Sequence, residues 1–313
     1  MKVIDFDVIS KKNISPVDCY NWVSEMIENK NSAVLPPKIS LKPFDGVFCN
    51  VMPSIVKESG GIKVVTRYPD RVPALESFLT LFDVATGEVL ALMDATWITA
   101  MRTGAVAAHT IIRLAKSNFS TIGMAGLGNT TRATMLVLAE VLKDKKLTIN
   151  LLKYKGQEIS FAERFAKYEN LTFKYFDSAE ELVPNSDVVV SGVTYMPNNM
   201  CADEYYNKGV LVVPIHTLGF TNCDLFFDKV FADDYGHVKH FKYFDRFKKF
   251  AEMTDVVNGV VPGRENDDER ILAYNIGISV HDVFFASRIY NAVCNDSNLP
   301  EVSLNTPKQK FWI

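Results

Sequence analysis

Cysteine is scarce in this sequence, and long apolar runs are missing from it. The 313 residues include five cysteines, an odd number, and no two of them form a C-x-x-C pair. This usage indicates neither a disulfide framework nor a zinc site, and it favours the reducing cytoplasm. No apolar run approaches the roughly 20 residues that a membrane-spanning helix needs, so we expect no membrane association.

A large excess of charge of either sign is also missing. The formal net charge is −3, which excludes a polycation built to bind nucleic acid. Hydrophobic residues make up 48% of the chain and charged residues 23%, as in ordinary globular proteins and unlike disordered ones. A chain of 313 residues is long enough for about two domains.

The first third of the chain mixes strand and helix patterns. Alternating apolar residues predict a strand over 3–8, and Ser15 followed by Pro16 starts a helix that runs to about Asn31. Further strands are predicted at 46–51, 61–66, 77–84 and 89–93, and a helix from Asp94 or Thr96 to about Ala115. A turn at 85–88 makes the last two strands a hairpin.

From Phe119 onwards, predicted strands alternate with predicted helices. The strands are 120–125, 147–152, 171–175, 187–191, 210–214 and 230–232, and the helices are 132–142, 160–168 and 178–182. This alternation is typical of right-handed βαβ units, so we predict an α/β fold with a parallel sheet. Acidic residues at 267–269 predict the start of another helix.

The segment 237–250 mixes basic and aromatic residues, a combination that binds single-stranded nucleic acid in some proteins. We interpret it as an amphipathic helix with a solvated charged face. His237 and His240 would share one face of that helix. Because no third ligand is evident, no metal site is predicted.

A glycine loop joins a buried strand to the helix that follows it. Gly126 and Gly128 form a G-x-G pair before Asn129 and Thr130, and Thr131 stands where a third glycine would complete the G-x-G-x-x-G fingerprint. Glycines at this position let the backbone approach a pyrophosphate at the N-terminus of the helix. The first four of these residues are therefore predicted to bind a dinucleotide.

The end of the next strand selects between the two nicotinamide cofactors. A site for NAD usually places an acidic residue there, which binds the ribose hydroxyls. This chain has Lys153 and Lys155 instead, and no acid before Glu158. Since cations suit a 2′-phosphate, we predict that NADP(H) is preferred and that NAD(H) is possible.

Further motifs surround the glycine loop in a fixed order. They are the strand segment 61–65, Thr86-Gly87, the segment 90–94, the run Thr99-x-x-Arg102-Thr103-Gly104-Ala105, the strand 187–190, Pro262-Gly263-Arg264, and the closing segment 277–282. Together they make the chain resemble the ornithine cyclodeaminase/mu-crystallin family over most of residues 35–292.

The resemblance implies a homodimer of two-domain subunits. A Rossmann-type parallel sheet domain would span 118–285, and a mixed α+β domain for substrate binding and dimerisation would combine 1–117 with 286–313. Members of the family bind NAD(H) or NADP(H) and act on amino acids or their imines. The partner implied for this chain is a small-molecule amino or imino acid, with no nucleic acid and no membrane.

The resemblance also implies roles for individual side chains. Lys63 and Arg102 match the family's cations that hold the substrate carboxylate, and arginine binds a carboxylate bidentately. Lys38 stands where the family has an arginine. Thr103 and Val193 would join the cofactor site.

Two positions depart from the ornithine cyclodeaminases of the family. Asn50 stands in place of a glutamate, and Asp224 corresponds to a helix-starting acid rather than to the catalytic aspartate. A diamino substrate needs an acidic partner for its second ammonium group. We therefore favour an imine reductase or amino-acid dehydrogenase with Lys63 and Arg102 as catalytic residues and Asn50 in the substrate site.

Two other functions stay open at this point. One is a cyclodeaminase that releases ammonia, and the other is a noncatalytic cofactor-binding protein similar to mu-crystallin. In the favoured mechanism a hydride moves between the nicotinamide and the substrate's Cα. The proton would come from Lys63 or from water.

Overall fold

The computed structural model describes residues 1–216, 219–222 and 226–313. Within these residues the strands form two sheets, one with six strands and one with eight. No helix of the described residues combines the length and the apolar character that crossing a bilayer requires.

The first sheet is mixed and comes from the N-terminal third of the chain. Its strands are β1 (Lys2–Ile4), β2 (Ile39–Leu41), β3 (Phe48–Val56), β4 (Ser59–Arg67), β5 (Leu75–Asp83) and β6 (Val89–Asp94). They lie in the order β1-β6-β5-β4-β3-β2, with β1 parallel to β6 and the remaining pairs antiparallel. The predicted hairpin between β5 and β6 is confirmed.

Three helices accompany this first sheet in sequence. They are α1 (Phe6–Lys11), α2 (Pro16–Glu28) and α3 (Thr96–Leu114). Ser15 caps α2 as expected, since its side chain accepts a hydrogen bond from the Asp18 amide. Asp94 accepts one from the Thr96 amide at 2.9 Å where α3 begins.

The second sheet is entirely parallel. Its strands are β7 (Thr121–Ala125), β8 (Leu147–Leu152), β9 (Leu171–Phe176), β10 (Val188–Ser191), β11 (Leu211–Pro214), β12 (Lys229–Ala232), β13 (Phe250–Glu252) and β14 (Ile271–Tyr274). The order β13-β12-β14-β11-β10-β7-β8-β9 places β7 between β8 and β10. The order in which strands are added therefore reverses between β7 and β10, while all strands stay parallel. In α/β folds a ligand crevice opens at such a reversal.

The remaining helices of the described chain lie in its second half. They are α4 (Asn129–Val141), α5 (Gln157–Arg164), α6 (Ala179–Leu182), α7 (Tyr235–Val238), α8 (Met253–Val257) and α9 (Ser279–Val293). A Rossmann-type parallel sheet beside a mixed sheet confirms the predicted fold class. The predicted domain boundaries stay a prediction. Helix α9 crosses the second of them and packs against β3 and β4.

The strand predicted over 3–8 is wrong beyond its first residues. β1 ends at Ile4 and α1 follows directly. Asp5 is the cause, because its carboxylate accepts a hydrogen bond from the Val8 amide at 2.9 Å and so caps a helix.

The single amphipathic helix predicted over 237–250 is also wrong. Helix α7 ends at Val238, a 3₁₀ turn occupies Phe244–Arg246, and β13 begins at Phe250. The rings of Phe244 and Phe250 meet edge to face at 4.9 Å. The aromatic spacing of this segment therefore serves a local aromatic cluster rather than one face of a helix.

The helix start predicted at 267–269 is wrong as well. These residues form a turn that leads into β14, and the Asp268 carbonyl accepts a hydrogen bond from the Gly209 amide at 3.0 Å. The four buried residues of β14 were not predicted. A short, fully apolar run shows neither the period of a helix nor that of a half-exposed strand.

Gly104 lets α3 and α4 approach closely. A Cβ atom at this position would lie 2.5 Å from the Thr134 amide nitrogen and 2.6 Å from the Ala133 carbonyl carbon. Both are backbone atoms of α4, so they cannot move aside without shifting the helix.

Gly104→Ala should therefore destabilise the protein, although alanine is ordinarily the better helix former by up to about 1 kcal/mol. We expect a loss of about 1–3 kcal/mol from overpacking, measured as the free energy of unfolding in urea. Gly128→Ala is the matched control, because a Cβ there meets nothing within 4 Å. An increase in stability of the Gly104 variant would contradict the close approach.

Candidate active site

A cavity of about 810 Å³ lies between the two sheets. Strands β2, β3 and β4 supply one wall, and residues that follow the carboxyl ends of β10, β11 and β14 supply another. The predicted site residues that line it are Lys38, Asn50, Lys63, Arg102, Thr103 and Thr130. The fold thus brings the predicted substrate residues and part of the glycine loop to one cavity.

Lys63 and Arg102 line this cavity and form a buried cluster with Asp282. The Lys63 Nζ lies 2.7 Å from Asp282 Oδ1, and the Arg102 Nε donates to the same oxygen at 2.8 Å. All three side chains are at most 4% exposed. The Arg102 Nη1 and the Asp282 Oδ2 have no hydrogen-bond partner among the described residues.

Three elements place these side chains together. The alternation of β4 turns Lys63 inward, between Met52 of β3 and Leu79 of β5. Arg102 projects from α3 and Asp282 from the first turn of α9.

The closing G-x-x-x-x-D motif acquires a physical meaning from this packing. Gly277 has a φ of +79°, and a Cβ there would overlap the Arg102 Nη1 atom. The glycine of the motif therefore makes room for the guanidinium, and Asp282 at its end binds it. Sequence reasoning quoted this motif without assigning Asp282 a role.

The surroundings of Lys63 bring its pKa close to neutral pH. Burial and the neighbouring Arg102 charge lower the pKa of Lys63 from 10.5 to about 7, against the opposing attraction of Asp282. Lys63 can therefore gain or lose a proton close to neutral pH.

Lys38, which directly precedes β2, and Asn50 of β3 also line the cavity. Burial and the Arg102 charge lower the pKa of Lys38, against the opposing attraction of Asp233. Its backbone amide points to His237 Nε2 at 3.4 Å, which ties this loop to α7. The Asn50 Oδ1 is buried and has no hydrogen-bond partner among the described residues.

His216 is a cavity residue to which sequence reasoning assigned no role. It follows β11 at the carboxyl edge of the parallel sheet. Burial, with the charges of Lys38, Arg102 and Arg67, lowers its pKa to about 4. The imidazole is therefore neutral at physiological pH. The available signal was its place directly after a buried strand at the edge where α/β folds bind ligands.

The two histidines at 237 and 240 have separate surroundings. The His237 Nδ1 lies 2.6 Å from Asp234 Oδ1, whereas His240 lines the cavity. The described part of the chain contains no group of three or more residues suited to a metal ion.

The glycine loop has the geometry of a phosphate cradle. Gly126 has a φ of +78°, and a Cβ there would lie 2.5 Å from the Gly192 carbonyl carbon, so the ends of β7 and β10 approach closely. Gly128 and Asn129 are exposed at the N-terminus of the 13-residue helix α4, and a Cβ on Gly128 meets nothing within 4 Å. Exposed amides at a helix N-terminus fit a pyrophosphate.

Three threonines and Val193 surround this cradle. Thr131, which replaces the third glycine, donates from its hydroxyl to the Gly126 carbonyl at 2.6 Å and so braces the loop. Thr103 bonds the Thr99 carbonyl at 2.6 Å and lines the cavity with Thr130. Val193 follows β10, directly after the glycine that Gly126 approaches.

The two lysines after β8 differ in their surroundings. The Lys153 Nζ contacts both carboxylate oxygens of Asp177, at 2.9 and 3.0 Å. Lys155 has a left-handed backbone with a φ of +53°, and its Nζ lies 5.1 Å from the centre of the Tyr154 ring. Lys153 is therefore engaged with an acid, and within the described residues Lys155 has no salt bridge.

A family model describes nearly the whole chain. The model of the ornithine cyclodeaminase/mu-crystallin family matches residues 3–297. The chain belongs to this family. The motifs quoted from the sequence, and the order in which they occur, are thereby explained.

The individual relatives share about a quarter of their residues with this chain. The nodulation efficiency protein NfeD of Rhizobium meliloti is 26% identical over 82% of this chain and 83% of its own length. A Δ1-pyrroline-2-carboxylate reductase of Bacillus thuringiensis is 26% identical over 77% of this chain and 80% of its own. The solved Δ1-pyrroline-2-carboxylate reductase of Thermococcus litoralis, in complex with NADH and L-proline, superposes with a TM-score of 0.85. It is 23% identical and covers 96% of this chain and 100% of its own, which establishes a common fold.

The two positions predicted to depart from the cyclodeaminases of the family differ in what the structure describes. Asp224, which we expect to start a helix, lies outside the described residues. Asn50, which we predict to stand in place of a glutamate, lines the cavity.

Asp282→Asn should destabilise the fold, because it leaves Lys63 and Arg102 without their counter-charge. Removing one partner of a buried ion pair costs about 3–5 kcal/mol. The loss should be larger at pH 6 than at pH 9, since Lys63, with its pKa lowered to about 7, is charged only at the lower pH. Urea unfolding at the two pH values measures this difference.

The pH dependence of wild-type stability has a direction that follows from the same pKa. The pKa of Lys63 is lower in the folded chain than in the unfolded one, so the unfolded chain binds the extra proton between about pH 7 and 10.5, and stability should rise with pH through that window. Asp144→Asn, at an exposed aspartate, is the control. A loss of equal size at both pH values would contradict the role given to Lys63.

Proposed function

We propose that this protein is an NAD(P)-dependent oxidoreductase that acts at the Cα of an amino acid or of its imine, including cyclic imines. The observation that carries the proposal is that Arg102, whose guanidinium keeps an unpartnered Nη1 among the described residues, lines the same cavity as Thr130 of the glycine loop. A site for a carboxylate and a cradle for a dinucleotide thus share one enclosed space.

The cation cluster would hold and orient the substrate. Lys63 and Arg102 carry two positive charges against the one carboxylate of Asp282, so one substrate carboxylate balances the cluster. The Arg102 guanidinium would bind that carboxylate, with Lys38 and Asn50 beside it. The bound nicotinamide supplies or accepts the hydride.

Lys63 is the proton donor that we propose for imine reduction. A general acid works best when its pKa lies near the working pH, and the lowered pKa of Lys63, about 7, meets that condition. His216, with its pKa lowered to about 4, is a weaker candidate because it is already neutral at physiological pH.

The lining of the cavity favours this reaction over cyclodeamination. A diamino substrate carries a second ammonium group, which needs an acidic partner, and no Asp or Glu of the described residues lines the cavity. A noncatalytic cofactor-binding protein would share the cradle but would need no proton donor, and the position of Lys63 favours an enzyme.

We further propose a homodimer. The outer face of the first sheet exposes Ile62 on β4, Phe78 on β5 and Leu92 on β6, which are 37–49% exposed. An apolar face of this kind is typical of a surface that another chain covers, and the family resemblance supports a second copy of this chain as that partner.

Arg102→Ala tests the proposed function. A screen of cyclic ketimines, and of 2-oxo acids with amines, should reveal turnover in the nicotinamide absorbance. The variant should then raise KM about 30- to 1,000-fold, as expected for a charge-assisted bidentate contact worth about 2–4 kcal/mol. Cofactor Kd should stay unchanged.

Arg113→Ala, at an exposed arginine of the same helix, is the matched control. No turnover with either cofactor across the screen would contradict the oxidoreductase. An unchanged kcat/KM for the Arg102 variant would remove Arg102 from the substrate site, and an equal loss of cofactor affinity would assign it to the cofactor.

For the cofactor we propose that NADP(H) is preferred and NAD(H) is possible. We assign the 2′-phosphate to Lys155, because Lys153 is already paired with Asp177. One accessible cation–phosphate contact should favour NADPH over NADH about 5- to 30-fold in Kd. Lys155→Asp should reverse the preference, since aspartate tolerates the left-handed backbone and repels the phosphate.

Lys153→Gln is the comparison for this measurement. It should change the ratio of the two Kd values less than Lys155→Asp does. A wild type that binds NADH more tightly, or a Lys155 variant with an unchanged ratio, would overturn the cofactor assignment and leave the dinucleotide cradle in place.

A further inference from the structure

The cavity holds more positive charge than one α-carboxylate requires. Lys63, Arg102 and Asp282 together are balanced by one substrate carboxylate. Lys38 and Lys42 line the same cavity, and within the described residues neither forms a salt bridge. No acidic residue of the described chain lines the cavity. The buried Asp233 attracts Lys38, so within the described residues the charge of Lys42 is the one of these two left unbalanced.

The excess charge is arranged in a row. Lys38 and Lys42 flank the edge strand β2, and Ser40 lies midway between them. Because side chains of a strand alternate, these three residues share one face, and all three line the cavity. At roughly 3.3 Å per residue the two lysines are about 13 Å apart along the chain.

The two ends of the row differ in exposure. Lys38 is half-buried, and burial and the Arg102 charge lower its pKa against the attraction of Asp233. Lys42 is exposed, so its end of the row is the solvent side of the cavity. His240 and Tyr243, from the segment between α7 and β13, also line the cavity and offer further polar groups.

We propose that the substrate carries a second acidic group, which Lys42 binds at the mouth of the cavity while the α-carboxylate binds at Arg102. The substrate class is therefore a dicarboxylic amino or imino acid. This inference rests on the proposed function and specifies it. A substrate with a second ammonium group would meet repulsion along the same row.

Binding of matched amino acids tests the proposal. The probes are L-aspartate, L-glutamate and L-2-aminoadipate, each compared with its neutral side-chain amide by calorimetry on the protein saturated with oxidised cofactor. At least one acid should bind about 10-fold more tightly than its amide, the effect of one accessible charge-assisted contact. The ratio should fall when ionic strength rises from 20 to 200 mM, because the contact is open to solvent.

Two variants assign the effect to the row. Lys42→Gln should bring the acid-to-amide ratio close to one. Lys146→Gln, at an exposed lysine between α4 and β8, should retain the wild-type ratio. Since Lys42 lies at the surface, its replacement is not expected to impair folding.

The outcomes separate this proposal from the general function. Equal binding of every acid and its amide, no binding of any probe, tighter binding of L-ornithine than of L-glutamate, or an unchanged ratio in Lys42→Gln would each overturn it. Turnover of monocarboxylic imines without an acid preference would support the proposed oxidoreductase and contradict the second-acid site. An acid preference without hydride transfer would support the second-acid site and contradict the oxidoreductase.

Discussion

One buried carboxylate joins three parts of this fold. Asp282 of α9 accepts from Lys63 of β4 and from Arg102 of α3 on the same oxygen. Attraction between charges is strong where water is excluded, and an uncompensated charge there is costly. The mixed sheet, the long central helix and the C-terminal helix are therefore held in one arrangement, and the cavity takes its shape from it.

The central helix α3 also connects the two ends of the cavity. Arg102 belongs to the cation cluster, and the next residue, Thr103, lines the cavity together with Thr130 of the glycine loop. Directly after Thr103, Gly104 allows backbone contact with α4, the helix that the loop opens. Close packing of the two helices thus sets the distance between the proposed carboxylate site and the proposed phosphate cradle.

Both ends of the cavity attract anions, by different means. At the cluster the attraction comes from lysine and arginine side chains, whereas at the loop it comes from the backbone amides at the start of α4. Burial, together with these cations, lowers the pKa values of Lys63, Lys38 and His216. The burial and the charge proposed to bind a substrate thus also bring the proposed proton donor into the neutral range.

The sequence was sufficient for features whose signal is local. The glycine loop, the alternation of strands and helices after Phe119, and the hairpin before Asp94 follow from patterns that a few neighbouring residues carry, and the fold class was predicted from them. Prediction failed where the same local pattern fits two different structures. The aromatic residues of 237–250 repeat as they would on a helix, yet they form a cluster of rings, and the acids at 267–269 occupy a turn.

What the sequence by itself determined is the α/β architecture, with the glycine loop at the start of α4 and the cations that line the cavity. Only the tertiary structure decided which of these charges are paired. Lys63 and Arg102 share Asp282 across 180 or more residues of chain, Lys153 is engaged by Asp177, and the row from Lys38 to Lys42 faces the same cavity as His216. Pairing and burial depend on distances between residues that are remote along the chain, and these distances exist only once the two sheets and their helices have packed.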